Sequence, residues 1–378
     1  MKIRFTEPYI TGDEEIYIKD VLKRGRLAGD GFYTKEVNKF IQDRFNTPKA
    51  LMMTSGSTAL DAALIILDIQ EGDEVILPSF TFVSTANSVI LRGAKCIFVE
   101  VDEFLNLDLD AVENKITEKT KLVMPVHYAS TSCDMDRLME LSEKYGYFVV
   151  EDAAQAVNAK YKDRFLGTIG HIGCYSFHET KNITCGEGGA LLINTEDKLL
   201  QERAEIVREK GTNRSKFFRG EIDKYSWVDM GSSYLPSDIL SAFLLAQFNH
   251  LDEIQELRKE PYLYYQKNLK HLEEKGVLQL PKTPDYNQIN YHIFYLLLNT
   301  EEERNQLMDY LKDNGINAVF HYLPLHDSTK GHSLGYKNGD LPFTESISSR
   351  LLRLPLYSGL SIEETKFIVN KINRYFGL

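Results

Sequence analysis

The chain has 378 residues, 43% of them hydrophobic and 26% charged, ordinary proportions for a soluble globular protein with room for a large domain and a smaller one. Asp and Glu number 55 against 44 Lys and Arg, a net charge of −11, which argues against nucleic acid or an anionic membrane surface as a general partner. The first residues, Met-Lys-Ile-Arg-Phe-Thr-Glu, hold no apolar core of signal length and no later run approaches a membrane span, so a cytoplasmic protein without membrane insertion is expected.

Residues 1–48 mix short helical patterns with glycine turns at Gly25, Gly29 and Gly31; the stretch 25–31 reads as a turn or the lip of a ligand site. From residue 50 the pattern is regular. Apolar runs of strand length fall at 50–53, 74–77, 95–101, 121–126, 147–150, 172–177 and 190–193, with amphipathic helical stretches at 57–67, 84–91 and 135–145 between them. Strands alternating with helices predict an α/β domain, a seven-stranded and mostly parallel sheet covered on both faces. Helical character returns over 195–209, followed by a basic, aromatic loop and a long helical run over 237–272. In that run Pro236 marks the start and Pro261 a break or kink. From Gly276 onward the order is an apolar segment (293–298), a helix (302–314), a strand (318–322), a loop, a helix (344–352), a short strand and a closing helix (362–376). The expected division is a large domain over 1–245, with residues 1–48 free to pack elsewhere, and a smaller α+β domain over 246–378.

Cys96, Cys133, Cys174 and Cys185 form no C-x-x-C pair and the nine histidines show no ligand spacing. Reduced thiols and no metal site are therefore expected.

Four features fall at predicted sheet ends. Thr54-Ser-Gly-Ser-Thr-Ala59 joins the first strand to a helix. Gly56 permits a tight turn, and Ser57 and Thr58 bring hydroxyl and N–H groups to a helix start, an arrangement that suits a phosphate or is simple N-capping by Ser55 or Ser57. Pro78–Thr85 carries Phe82, which either stacks on a planar ligand or joins the core. Asp152 ends the fifth strand, where a buried carboxylate needs a cationic partner, such as a protonated ring nitrogen, or serves as a cap. Lys181 follows the sixth strand on a glycine-rich loop, with Ser176 and His178 just before it; taken alone it reads first as a solvated loop lysine. Taken together they match the parts list of a pyridoxal 5′-phosphate (PLP) site.

Segments 78–87, 126–129, 148–155, 167–181, 187–190, 205–223 and 318–326 make the chain resemble the DegT/DnrJ/EryC1/StrS sugar aminotransferases along essentially its whole length. The resemblance implies the fold-type I aminotransferase architecture and PLP as cofactor. It makes Lys181 the lysine that binds the cofactor covalently, Asp152 the partner of the pyridine nitrogen, Gln155 a contact of the ring hydroxyl and Phe82 the stacking ring. It assigns the phosphate to Gly56, Ser57, Thr58 and Ser176, with Asn213 reaching the cofactor of the other subunit in a homodimer whose active sites are shared. His326 matches a position near the sugar. Gly56-Ser57-Thr58 stands where the family often has Gly-Thr-Ala, a departure that keeps a hydroxyl. Members with histidine in place of Lys181 are dehydratases.

The loop 208–219 holds Arg208, Lys210, Arg214, Lys216 and Arg219 against one acid, Glu209. It is a solvated basic loop or, as the resemblance favours, a nucleotide-diphosphate site using Arg214 and Arg219. The implied reaction is dTDP-4-keto-6-deoxy-D-glucose plus L-glutamate giving dTDP-4-amino-4,6-dideoxy-D-galactose plus 2-oxoglutarate. The alternatives are the gluco epimer or a 3-amino sugar by the same chemistry, and a PLP-binding regulator without turnover. Lys181 and the absence of a basic DNA-binding segment disfavour the regulator.

Overall fold

The structure, a computed structural model, describes residues 2–377. Seven strands form its main sheet: β1 (Lys49–Met53), β2 (Glu74–Pro78), β3 (Lys95–Val99), β4 (Thr120–Val123), β5 (Phe148–Asp152), β6 (Ile172–Ser176) and β7 (Gly189–Ile193). Their spatial order is β1-β7-β6-β5-β4-β2-β3. β3, β2, β4, β5 and β6 run parallel, and β7 is antiparallel to both β6 and β1. The reversal at β7 matters for the site. Because Ser176 pairs with Gly189, the loop between β6 and β7 leaves and re-enters at one edge, the carboxyl edge of the parallel strands.

The strands are apolar throughout because both faces are covered. Met52, Val123, Val149, Tyr175 and Leu192 face one core with Ile41 and Phe45. Leu51, Met53, Val75, Leu122, Val150 and Leu191 face the other, under the helix Gly56–Ile66. Two strands are shorter than the apolar pattern suggests. After β4 the chain meets Pro125, which lacks an N–H for the ladder, and after β3 only Val101 returns, in an isolated bridge to Leu107.

A second packing centre lies in the C-terminal part. A three-stranded antiparallel sheet (Leu278–Gln279, Phe294–Leu298, Leu351–Leu354) is covered by the helices Leu251–Glu274, Glu301–Asp313 and Ile362–Tyr375. Tyr265, Phe294, Leu307 and Ile368 are fully buried there, and Ile3 from the chain start joins them. The next helices, Glu14–Arg24 and Phe32–Phe45, return to the large sheet's side. The stretch 25–31 is the turn between them: Gly25 takes φ 67° at the first helix's end, and the carboxylate of Asp238 caps the second from a distance, accepting the N–H of Thr34 at 2.8 Å.

Two expectations fail here. The run 237–272 is two helices, Asp238–Asn249 and Leu251–Glu274, and the break is at His250, not Pro261. Pro261 sits inside the second helix, whose buried Tyr262 and Tyr265 hold it against the small sheet; tertiary packing overrides the missing N–H. Residues 318–322 form no strand. Among the described residues their one backbone pairing with the sheet is the bridge Val319–Arg353, so His321 and Tyr322 are free to turn toward the large domain. No helix among the described residues is long and apolar enough to cross a membrane.

Candidate active site

The carboxyl edge of the large sheet opens into a cavity of about 500 Å³. Asp152, Ser176 and Lys181 line it from the large sheet; His292, Tyr322 and Arg353 line it from the C-terminal part. Each arrives for a local reason.

Asp152 is the last residue of β5, where the backbone still pairs (N–H to Pro125 O, 2.9 Å) and the side chain turns into the cavity, 6% exposed. Its carboxylate accepts hydrogen bonds from Thr85 Oγ1 (2.8 Å) and the Ala154 N–H (3.2 Å), both neutral. A buried carboxylate held only by neutral donors is poised for a cation.

Lys181 sits in a turn of the β6–β7 loop, its N–H donating to His178 O at 2.9 Å. Burial pushes its amine down to about 8; the Asp152 carboxylate opposes this shift and the Arg353 charge adds to it. A neutral amine is the nucleophilic form. The sign is direct: the neutral fraction grows as pH rises through about 8 and is complete above it, whereas an ordinary lysine would still be charged. We therefore expect the rate at which cofactor-free protein captures PLP to rise through an apparent pKa near 8 and then level off, as followed by absorbance in stopped flow. A rate still climbing near pH 10 would show a solvated lysine.

The start of helix Gly56–Ile66 forms a second wall. Ser55 is its N-cap in a capping box: Ser55 Oγ accepts the Thr58 N–H (3.1 Å), and Thr58 Oγ1 accepts the Ser55 N–H (3.0 Å). Thr58 is thereby consumed, its hydroxyl also bonded to Ser55 O (2.9 Å) and off the cavity wall. That corrects its expected place on a phosphate. Gly56 and Ser57, which do line the cavity, keep the N–H groups of the open first turn, the natural seat of an anion. Ser176 stands opposite, so close that a Cβ on Gly56 would lie 2.9 Å from the Ser176 Cβ. Gly189 has a similar task that no local pattern announces, since its Cβ would meet the Ser55 carbonyl carbon at 2.4 Å. Together the two glycines let β6, β7 and the helix start converge.

Gln155 is fixed by both ends. Its Oε1 accepts the Ala129 N–H (2.7 Å) and its Nε2 donates to the Tyr322 hydroxyl (2.9 Å). Phe82, 55% exposed, lies at the mouth with its ring centroid 6.3 Å from that of Tyr322. His178 is on the rim, Nε2 3.5 Å from Glu187 Oε1.

Four predicted residues lie away from the cavity. His326 is fully buried elsewhere, with Nδ1 accepting from Ser79 Oγ (2.7 Å) and Nε2 donating to Glu345 Oε1 (2.8 Å). The expectation that it faces a sugar is corrected: it ties the C-terminal part to the chain after β2. Asn213 precedes the short helix Arg214–Phe218 without a side-chain bond to its first turn, and its Oδ1 accepts the Ser226 N–H at 2.8 Å. The basic loop is not an open cationic surface. Arg219 pairs with Glu205 (2.8 Å) and Glu221 (2.6 Å), Arg214 with Glu209 (3.6 Å), Lys216 with Glu202 (2.6 Å) and buried Arg208 with Asp30 (2.8 Å). Arg214 and Arg219 stay 43% and 44% exposed, and a diphosphate bound there would compete with these carboxylates. Of the loop's counter-charges, Glu202 and Glu205 of the helix Lys198–Arg208, Asp30 and Glu221 come from outside the 208–219 window.

Conversely, three cavity residues carried no recognisable local signal. His292 donates from Nδ1 to Asn182 Oδ1 (2.8 Å), because Asn182 Nδ2 is committed to Asn290 O (2.8 Å). Burial first, then the charges of Lys181, Arg258 and Arg353 with His321, hold it well below the usual imidazole range. His321 faces the Tyr128 hydroxyl through Nδ1 (2.7 Å) and stacks on Tyr322 with centroids 3.7 Å apart. Arg353 projects from the small sheet. Among the described residues no cluster of metal-ligating side chains occurs.

Known proteins resemble this chain along nearly its whole length. The model of the DegT/DnrJ/EryC1/StrS aminotransferase family matches residues 8–373. A GDP-perosamine synthase of Escherichia coli O157:H7 is 31% identical over 377 residues, covering 98% of this chain and 97% of that one. A pleiotropic regulatory protein of Geobacillus stearothermophilus is 33% identical over 363 residues, covering 95% and 93%. Among solved structures, the Streptococcus pneumoniae protein Spr1654 in its PLP-form superposes with a TM-score of 0.91 at 25% identity, covering 99% of this chain and 98% of that one.

Proposed function

The chain belongs to the DegT/DnrJ/EryC1/StrS aminotransferase family, and from that premise we propose that it moves the amino group of L-glutamate onto dTDP-4-keto-6-deoxy-D-glucose, giving dTDP-4-amino-4,6-dideoxy-D-galactose and 2-oxoglutarate. It is a PLP-dependent aminotransferase, and its cavity suits that cofactor. The observation that carries the reading is a lysine amine with a pKa near 8 in the same cavity as a buried carboxylate whose hydrogen-bond partners are all neutral.

Bound PLP supplies a ring that accepts the electron pair released when the donor's Cα–H bond breaks. The chain's own residues do the rest. Lys181 would hold the cofactor covalently and, once displaced by the donor's amine, would take the Cα proton and return it on the cofactor side. Asp152 would keep the ring nitrogen protonated, so that charge from Cα spreads into a cationic ring. Gly56, Ser57 and Ser176 would seat the phosphate, Phe82 would cover the ring and Gln155 would meet its hydroxyl. The keto sugar would then be aminated by the same groups acting in reverse order.

Full-length resemblance to enzymes making the galacto sugar supports the product. The likeness to a GDP-perosamine synthase favours a second reading, in which the sugar is carried on GDP. The gluco epimer and a 3-amino sugar use the same machinery. NMR of the product from purified protein, PLP, L-glutamate and dTDP-4-keto-6-deoxyglucose separates them. A small coupling between the protons on sugar carbons three and four means an axial amine and supports the galacto product. A large coupling, or reaction only with the GDP sugar, overturns it.

We further propose a cytoplasmic homodimer with shared sites, its product serving surface-polysaccharide synthesis such as enterobacterial common antigen. The four cysteines are buried free thiols, suited to a reducing compartment. The segment around Asn213 presents Phe218, Tyr225 and Trp227 at 65%, 50% and 81% exposure, an apolar ridge suited to a second copy. Subunit mixing tests this. Inactive Lys181→Ala and impaired Asn213→Ala proteins, mixed and re-equilibrated, should regain about a quarter of wild-type activity, because each hybrid dimer carries one intact site. No regain would remove Asn213 from the partner's site.

A further inference from the structure

A second cavity, of about 10 Å³, adjoins the first. Ala154, Gln155, Lys181 and His292 line both, so Lys181 stands in the partition between them. The space suits one water molecule and nothing larger. Asn290, 2% exposed, lines only the smaller cavity. Its Nδ2 donates to Gln155 O (3.0 Å) and Val157 O (2.9 Å), which fixes the orientation of the amide. Its N–H donates to Ser130 Oγ (3.1 Å) and its carbonyl accepts from Asn182 Nδ2 (2.8 Å). One atom is left over: Asn290 Oδ1 is buried and has no hydrogen-bond partner among the described residues. A buried acceptor without a donor is costly, and a bound water is the usual remedy. Backbone strain gathers at the same place. Ala129, Ser130 and Tyr291 take left-handed conformations (φ 50°, 69° and 57°) that glycine alone adopts freely. Tyr291 separates Asn290 from His292, and Ser130 holds the Asn290 N–H.

We propose that this cavity binds a single water, held by Asn290 Oδ1, that accepts a hydrogen bond from the Lys181 amine and so makes Asn290 a positioning residue for that amine. The role, though not the water, rests on reading Lys181 as the reacting group. The walls match a water's needs. Asn290 Oδ1 takes one of its hydrogens. The His292 imidazole has given its Nδ1–H to Asn182 Oδ1 (2.8 Å), which leaves Nε2 as an acceptor for the other. The amine donates to the water oxygen, for three partners in all, the ordinary number for a buried water. When the donor displaces Lys181 from the cofactor, the freed amine meets a fixed acceptor on the small-cavity side. Its lone pair is then left facing the large cavity, where the Cα proton is taken.

The test begins with a high-resolution crystal structure of the cofactor-free native chain, which should show one water within about 3.2 Å of both Asn290 Oδ1 and Lys181 Nζ. A dry cavity, or an amine bonded to Asn290 directly, overturns the proposal. Val157→Ile then adds one methylene on the cavity wall and should displace the water, whereas Val157→Ala should keep it. A water that accepts from Lys181 favours the charged amine, so its loss lowers the transition near 8. Capture of PLP by cofactor-free Val157→Ile at about pH 6 should therefore become roughly tenfold faster. The proton shift with L-glutamate in the loaded enzyme should slow about tenfold, with the glutamate concentration for half-maximal rate unchanged. A merely structural injury would slow both. The two rates must follow the water: a variant that keeps it and changes them, or loses it and changes neither, overturns the role. If the native chain captures no PLP, the assignment of Lys181 fails with the role, while the electron density still decides the water.

Discussion

Lys181→Arg is expected to abolish turnover, with a fall of at least about 10⁴-fold in the rate of amine transfer from L-glutamate. The substitution keeps the positive charge and most of the length, so it isolates the chemistry from the packing. A guanidinium stays protonated at any pH a protein tolerates, so it neither attacks an aldehyde nor takes a proton from Cα. In the native chain, burial has already brought the amine down to about 8, and this is the property that arginine cannot reproduce. The measurement is single-turnover absorbance on purified variant, paired with mass spectrometry after borohydride reduction. The native chain should retain the cofactor covalently and the variant should not. Full activity in Lys181→Arg, free of contaminating enzyme, would sink the assignment.

Asp152→Asn should slow the proton shift about 10²- to 10³-fold while moving the pH dependence in a definite direction. The carboxylate is the one group that acts to raise the Lys181 pKa. With it neutralised, burial and Arg353 go unopposed, and the Lys181 transition should move below its native value near 8. Rate and pH profile therefore shift together. A residue serving only as a cap for the turn at Ala154 would alter stability and leave the profile in place. The asparagine also disturbs a local bond, because Thr85 and the Ala154 N–H both donate to the native carboxylate and an amide offers only one acceptor oxygen. Single-turnover rates and a profile both equal to those of the native chain would argue against any role at the ring nitrogen.

Residues whose task is set within a few positions of the chain are legible in the sequence. Lys181, Asp152, Ser176 and Gly56 each lie at or just beyond the end of an apolar strand or at the start of a helix, and all four line the cavity. The same reasoning overreaches at Thr58, where a hydroxyl at a helix start counts as a ligand although the capping box claims it. In the basic loop the difficulty is one of range. A window of residues 208–219 shows five cations and one acid, but Glu202, Glu205 and Asp30 fold against it. Charge over a short window describes a surface only when nothing else packs there.

His326 and His321 make the contrast sharper. They lie five residues apart in one segment. One is wholly buried on Ser79 and Glu345; the other reaches the cavity. Nothing in their immediate neighbours tells which is which. The answer depends on residues 318–322 leaving the sheet edge after the single bridge at Val319, a consequence of how the small sheet docks. The sequence alone determined the seven-stranded sheet, the lysine on its carboxyl edge and the carboxylate beside it, because strand periodicity and turn chemistry act between near neighbours. Only the tertiary structure decided what closes the site from the other side. His292, His321 and Arg353 lie 111, 140 and 172 positions beyond Lys181 in the chain, and a contact made by packing two separate cores leaves no period for a local pattern to carry.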